Sequence, residues 1–398
     1  MEGLEGVVNV HGEDGERDED LLAEAERRRG AEGVEVEEEV QRSEVGESGS
    51  YLNVGAGRDD PVDLYYEVHG AGPQRALWVM GLGTSLRGWK KNIEYFLDNH
   101  YNEFQLCIFD NRGVGRSGSP KRRYTTKGMA HDALELLQHL GWDEVHVIGI
   151  SMGGMISMEL ALLLLDPQQE TNKRPKLLSL SLAVTHAGGL SAIVPFAGFK
   201  TVFRNLFRSR PEDKVESIMR SIYSPAYLAR PSPVDSSKTM LDYVCSEWLT
   251  RVAVDPPPTK EGAFGQIAAV NTHYVSAYRL SIIQNSGVPT LIMTGTNDCL
   301  VRPQNSFNLA KRLASPQLTF LVWEGVGHAV NSETFDEFNA AVLAVMRQGA
   351  QRSKTAAGAG PSVAEEEEKA RKGQEAKEDG EEAKEEEDGK ADEEESAN

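Results

Sequence analysis

Cysteine is scarce: Cys107, Cys245 and Cys299 are the only three among 398 residues. Thiols so few, odd in number and far apart exclude a disulfide framework or a cysteine-built zinc cluster, and suit a reducing compartment. An excess of positive charge is also lacking, with 42 Lys+Arg against 62 Asp+Glu and a formal net charge of −20. That leaves no basic footprint for nucleic acid. The N-terminus carries no apolar h-region, and the final Glu-Ser-Ala-Asn matches neither an ER-retention nor a peroxisomal address, so a cytoplasmic location is expected. One stretch, Leu177 to Phe199, has 23 residues without Asp, Glu, Lys or Arg, long enough for a bilayer. It contains Ser179, Ser181, Thr185, His186, Gly188, Gly189, Ser191 and Pro195. A buried strand entering a loop accounts for it, and no transmembrane span is expected.

The negative charge is unevenly spread. Residues 1–50 hold 17 acidic and 5 basic side chains, and residues 351–398 hold 17 and 8. The 300 residues between carry 28 acids and 29 bases, a net of +1. Such polar, highly charged ends cannot bury enough apolar surface to offset chain entropy, so both are expected to be disordered acidic tails. The near-neutral body, residues 51–350, is large enough for one domain with an insertion.

Within the body, strand-like and helix-like segments alternate. Val62–Val68 alternates apolar and polar residues, while 76–80, 105–109, 144–150, 177–184, 288–294 and 318–323 are short apolar runs. Helical spacing is found over 86–99, 125–140, 152–165, 305–313 and 334–346. Buried strands alternating with helices predict an α/β class: a mostly parallel sheet covered on both faces. Between His186 and Ser286 the alternation stops, and about 100 residues read as helices without strands. This predicts a helical insertion between two sheet strands.

Gly149-Ile150-Ser151-Met152-Gly153 is a Gly-x-Ser-x-Gly run between a buried strand and an apolar helix. A sharp strand-to-helix turn strains the serine backbone, exposes its hydroxyl and needs glycines where the chains cross. A serine hydroxyl also needs a base, and the base an orienting acid. Asp298 follows the strand at 288–294, and His328 in Gly325-Val326-Gly327-His328 follows the next. The order Ser151, Asp298, His328, each just past a strand, is that of a nucleophile elbow with its acid and base. No carboxylate lies between Glu170 and Glu212 to serve instead, and His186 and His273 are the rival bases. For an oxyanion hole the candidates are two backbone N–H groups, those of Met152 and of Leu82 in Met80-Gly81-Leu82-Gly83.

A second glycine motif points elsewhere. Gly113-Val114-Gly115-Arg116-Ser117-Gly118 is a literal Gly-x-Gly-x-x-Gly behind a strand. A dinucleotide site needs a helix to open inside that run and an acid about 20 residues on. Here Ser119-Pro120 and Lys121-Arg122-Arg123 follow, and helical spacing begins near Thr125. A nucleotide site is therefore not expected.

Together these residues resemble the α/β-hydrolase superfamily, in the branch of epoxide-hydrolase-like, enol-lactonase-like and small-ester hydrolases. The resemblance covers about residues 60–348. It rests on Asp110-Asn111-Arg112-Gly113-Val114-Gly115-Arg116-Ser117, the elbow at Gly149–Gly154, the acid loop at Gly295–Val301, the histidine loop at Gly325–His328 and a helical cap over about 186–286. Two departures stand out. Met80-Gly81 occupies the place where the family commonly has His-Gly, and position 151 is Ser where epoxide hydrolases and dehalogenases of this branch carry Asp. The resemblance implies acyl chemistry on a small-molecule ester of small to medium, apolar character, with no metal or organic cofactor. Lactonase, thioesterase, lipase, peptidase, acyltransferase and C–C hydrolase activities share the same triad. A binding protein of this fold with partner-recruiting tails is the alternative from another class. In the cap, Phe196, Phe199, Phe203, Leu206 and Phe207 share helical spacing, with Lys200, Arg204 and Arg208 on another face. Packing against the pocket or peripheral lipid contact would both use such a helix.

Overall fold

The computed structural model describes residues 7–9, 49–166, 174–189, 211–255 and 258–358. The chain divides into two units, residues 1–349 and 350–398. The first holds the sheet and the candidate site; in the second, the helix Phe335–Gly358 that begins in the first unit runs to its end.

Nine strands form one sheet: β1 (Val7–Asn9), β2 (Ser50–Val54), β3 (Val62–His69), β4 (Gln74–Val79), β5 (Phe104–Phe109), β6 (Glu144–Ile150), β7 (Lys176–Ala183), β8 (Thr290–Gly295) and β9 (Leu318–Trp323). Their order is β1-β9-β8-β7-β6-β4-β5-β3-β2. The pairs from β5 through β4, β6, β7 and β8 to β9 and β1 are parallel, while β3 lies antiparallel to β5 and β2 antiparallel to β3. The expected α/β architecture is thus present. β1 lies inside the segment read above as a disordered tail, and β2, the edge strand Ser-Tyr-Leu-Asn-Val, was not anticipated.

The central strands are mostly apolar because both faces are covered. On one face, helices α1 (Lys90–His100) and α11 (Phe335–Gly358) contribute Ile93, Phe96, Phe338, Val342 and Met346 to a core with Trp78, Trp89 and Phe104. Trp78 sits edge-on to Trp89 and Phe96 with ring centroids 5.0 and 5.4 Å apart. The other face is covered by α2 (Thr126–His139) and α3 (Met152–Leu164). Every residue of α3 is buried, as befits a helix apolar all round. Its one charge, Glu159, meets Arg279 in a two-pronged ion pair at 2.6 and 3.0 Å.

Between β7 and β8 the described residues form helices and no strand of the sheet: α4 (Pro211–Ile222), α5 (Pro225–Leu228), α6 (Met240–Val254), α7 (Lys260–Thr272) and α8 (Ala277–Asn285). Their starts are written locally. Ser224, Thr239, Thr259 and Ser276 each accept a backbone N–H of the first turn, and Thr239 with Asp242 closes a capping box. Val215, Met219, Leu228 and Val244 form a small core of their own. The aromatic and basic stretch from Phe196 to Arg208 lies outside the described residues. The remaining helices are α9 (Pro303–Arg312) and α10 (Val330–Glu333). No helix among the described residues is long and apolar enough to cross a membrane.

Candidate active site

Because β6, β8 and β9 run parallel, the loops that leave their C-terminal ends share one edge of the sheet. Ser151 stands between β6 and α3 with φ 56° and ψ −121°, a conformation costly for any residue with a Cβ. Packing enforces it. A Cβ on Gly149 would fall 2.5 Å from the Gly153 carbonyl oxygen, and one on Gly153 would be 2.0 Å from that of Val79. Only glycines let α3 fold back so tightly on the sheet. The Ser151 N–H donates to the Ala183 carbonyl at 2.9 Å, and the Ser151 carbonyl accepts the Thr185 hydroxyl at 2.8 Å. The strained residue is thus tied to the end of β7 and to the loop just past it.

Asp298 and His328 meet directly. Asp298 Oδ2 is 2.7 Å from His328 Nδ1, and Asp298 Oδ1 accepts the N–H groups of Leu300 and Val301 at 2.8 and 2.9 Å. A carboxylate only accepts, so Nδ1 carries a proton, and in the neutral ring Nε2 keeps its lone pair. The Asp298 side chain is fully buried, which fixes the imidazole from behind. The hydrogen bonds of the described residues join His328 to Asp298 and leave the Ser151 hydroxyl without one. Such contacts are often loose before substrate binds and tighten in the complex.

The loop after β4 faces the serine. A methyl on Gly81 would stand 3.2 Å from Ser151 Cβ and 3.8 Å from its Oγ. Leu82 follows at once, and Met152 opens α3, where the first N–H groups of a helix have no partner inside it. In the same loop Gly83 donates its N–H to Gln266 Oε1 at 2.8 Å. Where the family commonly has a histidine, the Met80 carbonyl accepts Asn111 Nδ2 at 2.9 Å.

The glycine motif at 113–118 is filled by its own carboxylate. Asp110 takes the N–H of Leu86 at 2.7 Å and that of Arg116 at 2.8 Å, so the Arg116 amide is not free for a phosphate. Burial, partly opposed by those two donors, pushes the Asp110 carboxyl up to about 6. The next helix starts only at Thr126, outside the glycine run.

The rival bases are differently placed. His186 accepts the Gly188 N–H at Nδ1, His273 pairs with the Thr126 hydroxyl at 2.8 Å, and the two rings lie 5.9 Å apart. Neither has a carboxylate partner among the described residues. Burial pulls His186 down to about 4, and His273 and the core residue His146 to about 3. Each is therefore neutral in the folded chain at pH values where the unfolded chain is already protonated. Their contribution to stability is complete above about 6.5 and is lost as pH falls toward 4. Asp110 acts the other way, since its raised carboxyl favours the folded state in acid. The three buried histidines outweigh Asp110, so unfolding free energy is expected to fall by several kcal/mol between pH 7 and 5, at up to about 4 kcal/mol per unit before the Asp110 offset. Urea midpoints at the two pH values check this; an unchanged midpoint would contradict three neutral buried histidines.

Some contacts have no motif behind them. The helical segment between β7 and β8, taken above as the cap, reaches the histidine loop through the Ile222 carbonyl, which accepts the N–H groups of His328 at 2.7 Å and Ala329 at 3.2 Å. Glu333 Oε1 then accepts the Ser224 and Gly327 N–H groups at 2.8 and 3.0 Å, and its Oε2 the Ser224 hydroxyl at 2.6 Å.

The family model described as alpha/beta hydrolase fold matches residues 77–334. The chain belongs to the α/β-hydrolase family. It is thus placed among hydrolases, and individual comparisons agree with that. The protein named "Putative carbamate hydrolase RutD" from Azorhizobium caulinodans is 29% identical over 283 residues, covering 71% of this chain and 94% of its own length. Among solved structures, a thermophilic esterase from Thermogutta terrifontis superposes with a TM-score of 0.58 at 21% identity, over 75% of this chain and 99% of the esterase. The enol-lactonase from Burkholderia xenovorans gives 0.56 at 20%, over 75% and 100%. At such identities the two structures speak to the α/β-hydrolase fold alone.

Proposed function

We propose that this α/β-hydrolase is a serine hydrolase that cleaves a carboxylic ester, or a related acyl bond, of a small to medium apolar molecule. The observation that carries it is the His328–Asp298 contact of 2.7 Å, backed by two N–H donors, on the same sheet edge as the strained Ser151. His328 Nε2 takes the hydroxyl proton as Ser151 Oγ attacks the substrate carbonyl. Asp298 stabilises the imidazolium, and the N–H groups of Leu82 and Met152 receive the oxyanion. His328 then protonates the departing alcohol, leaving an acyl-serine. Water, deprotonated by the same imidazole, releases the acid and restores the hydroxyl. Cys107, Cys245 and Cys299, all free thiols, support a cytoplasmic setting.

A carbamate is the second substrate class to consider, because of the likeness to RutD across nearly its whole length. Its carbonyl would meet the same groups. The test compares turnover of p-nitrophenyl acetate with that of a p-nitrophenyl carbamate, alongside fluorophosphonate labelling. Hydrolysis and labelling are both expected to vanish in Ser151→Ala. Labelling that survives in that variant would sink the proposal, and faster carbamate than acetate turnover would favour the second substrate class.

A further inference from the structure

Gln266 lies on the cap helix α7, far along the chain from every residue assigned to the chemistry, and is 1% exposed. Both ends of its amide are engaged. Oε1 accepts the Gly83 N–H at 2.8 Å, and Nε2 donates to the Arg112 carbonyl at 2.9 Å. Only one orientation satisfies both, because exchanging oxygen and nitrogen would set donor against donor at Gly83 and acceptor against acceptor at Arg112.

The Arg112 end is anchored. Its guanidinium is buried against Asp132, with contacts of 2.6 and 2.8 Å, and also reaches Asp60 at 2.7 Å. The cap backbone touches this turn too, since a Cβ on Gly262 would fall 2.2 Å from the Gly113 carbonyl oxygen. The Gly83 end belongs to the loop that faces Ser151. With the Gly83 N–H committed to Gln266, the Leu82–Gly83 peptide is fixed and with it the Cα of Leu82, which anchors the adjoining Gly81–Leu82 peptide, whose N–H remains for an oxyanion. The far end of the loop is held by the cap as well: Asp255 accepts the Ser85 hydroxyl at 2.6 Å and Arg87 Nε at 3.1 Å.

We propose that Gln266 is a positioning residue, which from the cap holds the Gly81–Gly83 loop so that the Leu82 N–H is aimed at the developing oxyanion. The inference rests on the serine-hydrolase proposal above. Gln266 touches no reacting atom, and its contribution appears where charge develops, in the transition state, rather than in ground-state binding.

The serine-hydrolase proposal is tested first, by wild-type turnover of p-nitrophenyl acetate and its loss in Ser151→Ala, so that its failure is seen separately. With that turnover in hand, Gln266→Met removes both hydrogen bonds at similar volume. Loss of a whole oxyanion donor costs about 10²–10³ in kcat, and a misaimed one is expected to cost about tenfold or more. KM should stay within about threefold, since uniform binding is untouched. Inhibition by phenylboronic acid, whose adduct with Ser151 is a tetrahedral anion, should weaken by a factor similar to the kcat loss. If Gln266→Met does not fold, Gln266→Asn takes its place: one methylene shorter, it cannot span Gly83 and Arg112, and the same pattern is expected. A folded variant with kcat within twofold of wild type overturns the proposal. So does a loss carried by KM with unchanged boronic acid affinity.

Discussion

Ser151→Gly is expected to be inactive and more stable than the wild type. Removing the nucleophile of a working triad costs about 10⁶ in kcat. The stability gain follows from the backbone. At φ 56° and ψ −121° a residue with a Cβ carries about 1–3 kcal/mol of strain, which glycine does not. Glycine returns part of this, about 0.5–1 kcal/mol, through the greater freedom of its unfolded chain. The serine side chain caps no N–H of α3 and makes no other hydrogen bond among the described residues, so nothing else is lost. A net gain of about 1 kcal/mol in urea denaturation is expected. Ser151→Ala separates the two effects, because alanine is equally inactive but keeps the Cβ and hence the strain. A glycine variant less stable than the alanine one would show that the elbow is not strained in solution.

Asp298→Asn is expected to lower kcat by about 10⁴-fold with little change in fold. Asp298 Oδ1 serves two N–H groups, those of Leu300 and Val301. An asparagine can satisfy them only by turning its own oxygen toward them, which leaves its NH₂ facing His328 Nδ1. The imidazole must then accept at Nδ1 and carry its proton on Nε2, the atom that should take the proton from Ser151. The wrong tautomer is thus imposed by the loop and not by the imidazole. Retention of kcat within tenfold in the asparagine variant, with an unchanged urea midpoint, would remove Asp298 from the proposed triad.

Much of the architecture is legible in the chain because the central strands are covered on both faces and read as predominantly apolar runs. Ser151, Asp298 and His328 are legible for a related reason: each follows such a run, and parallel strands bring their ends to one edge. β2 escaped because this edge strand beside solvent, Ser-Tyr-Leu-Asn-Val, neither alternates regularly nor forms an apolar run, and Tyr51 is largely exposed. Gln266, Asp255 and Glu333 were invisible for a different reason. Gln266 bonds only backbone groups, at Gly83 and Arg112, and Glu333 holds two N–H groups beside one hydroxyl. A backbone amide has the same chemistry whatever residue bears it, so no local pattern names the partner. Asp255 reaches Ser85 and Arg87, 170 and 168 positions away, and only the folded cap brings them together.

The stitching of Ile222 and Ser224 to the histidine loop bears on how such enzymes can be recombined. Substrate range in a capped hydrolase invites exchange of the cap between relatives, as if it were an interchangeable module. Here the cap supplies the carbonyl that seats the His328 amide, and Glu333 on the other side of the junction is matched to Ser224. A graft cut at the strand ends would carry one half of that joint and leave the other behind. A productive chimera would have to move residues 222–224 together with Glu333.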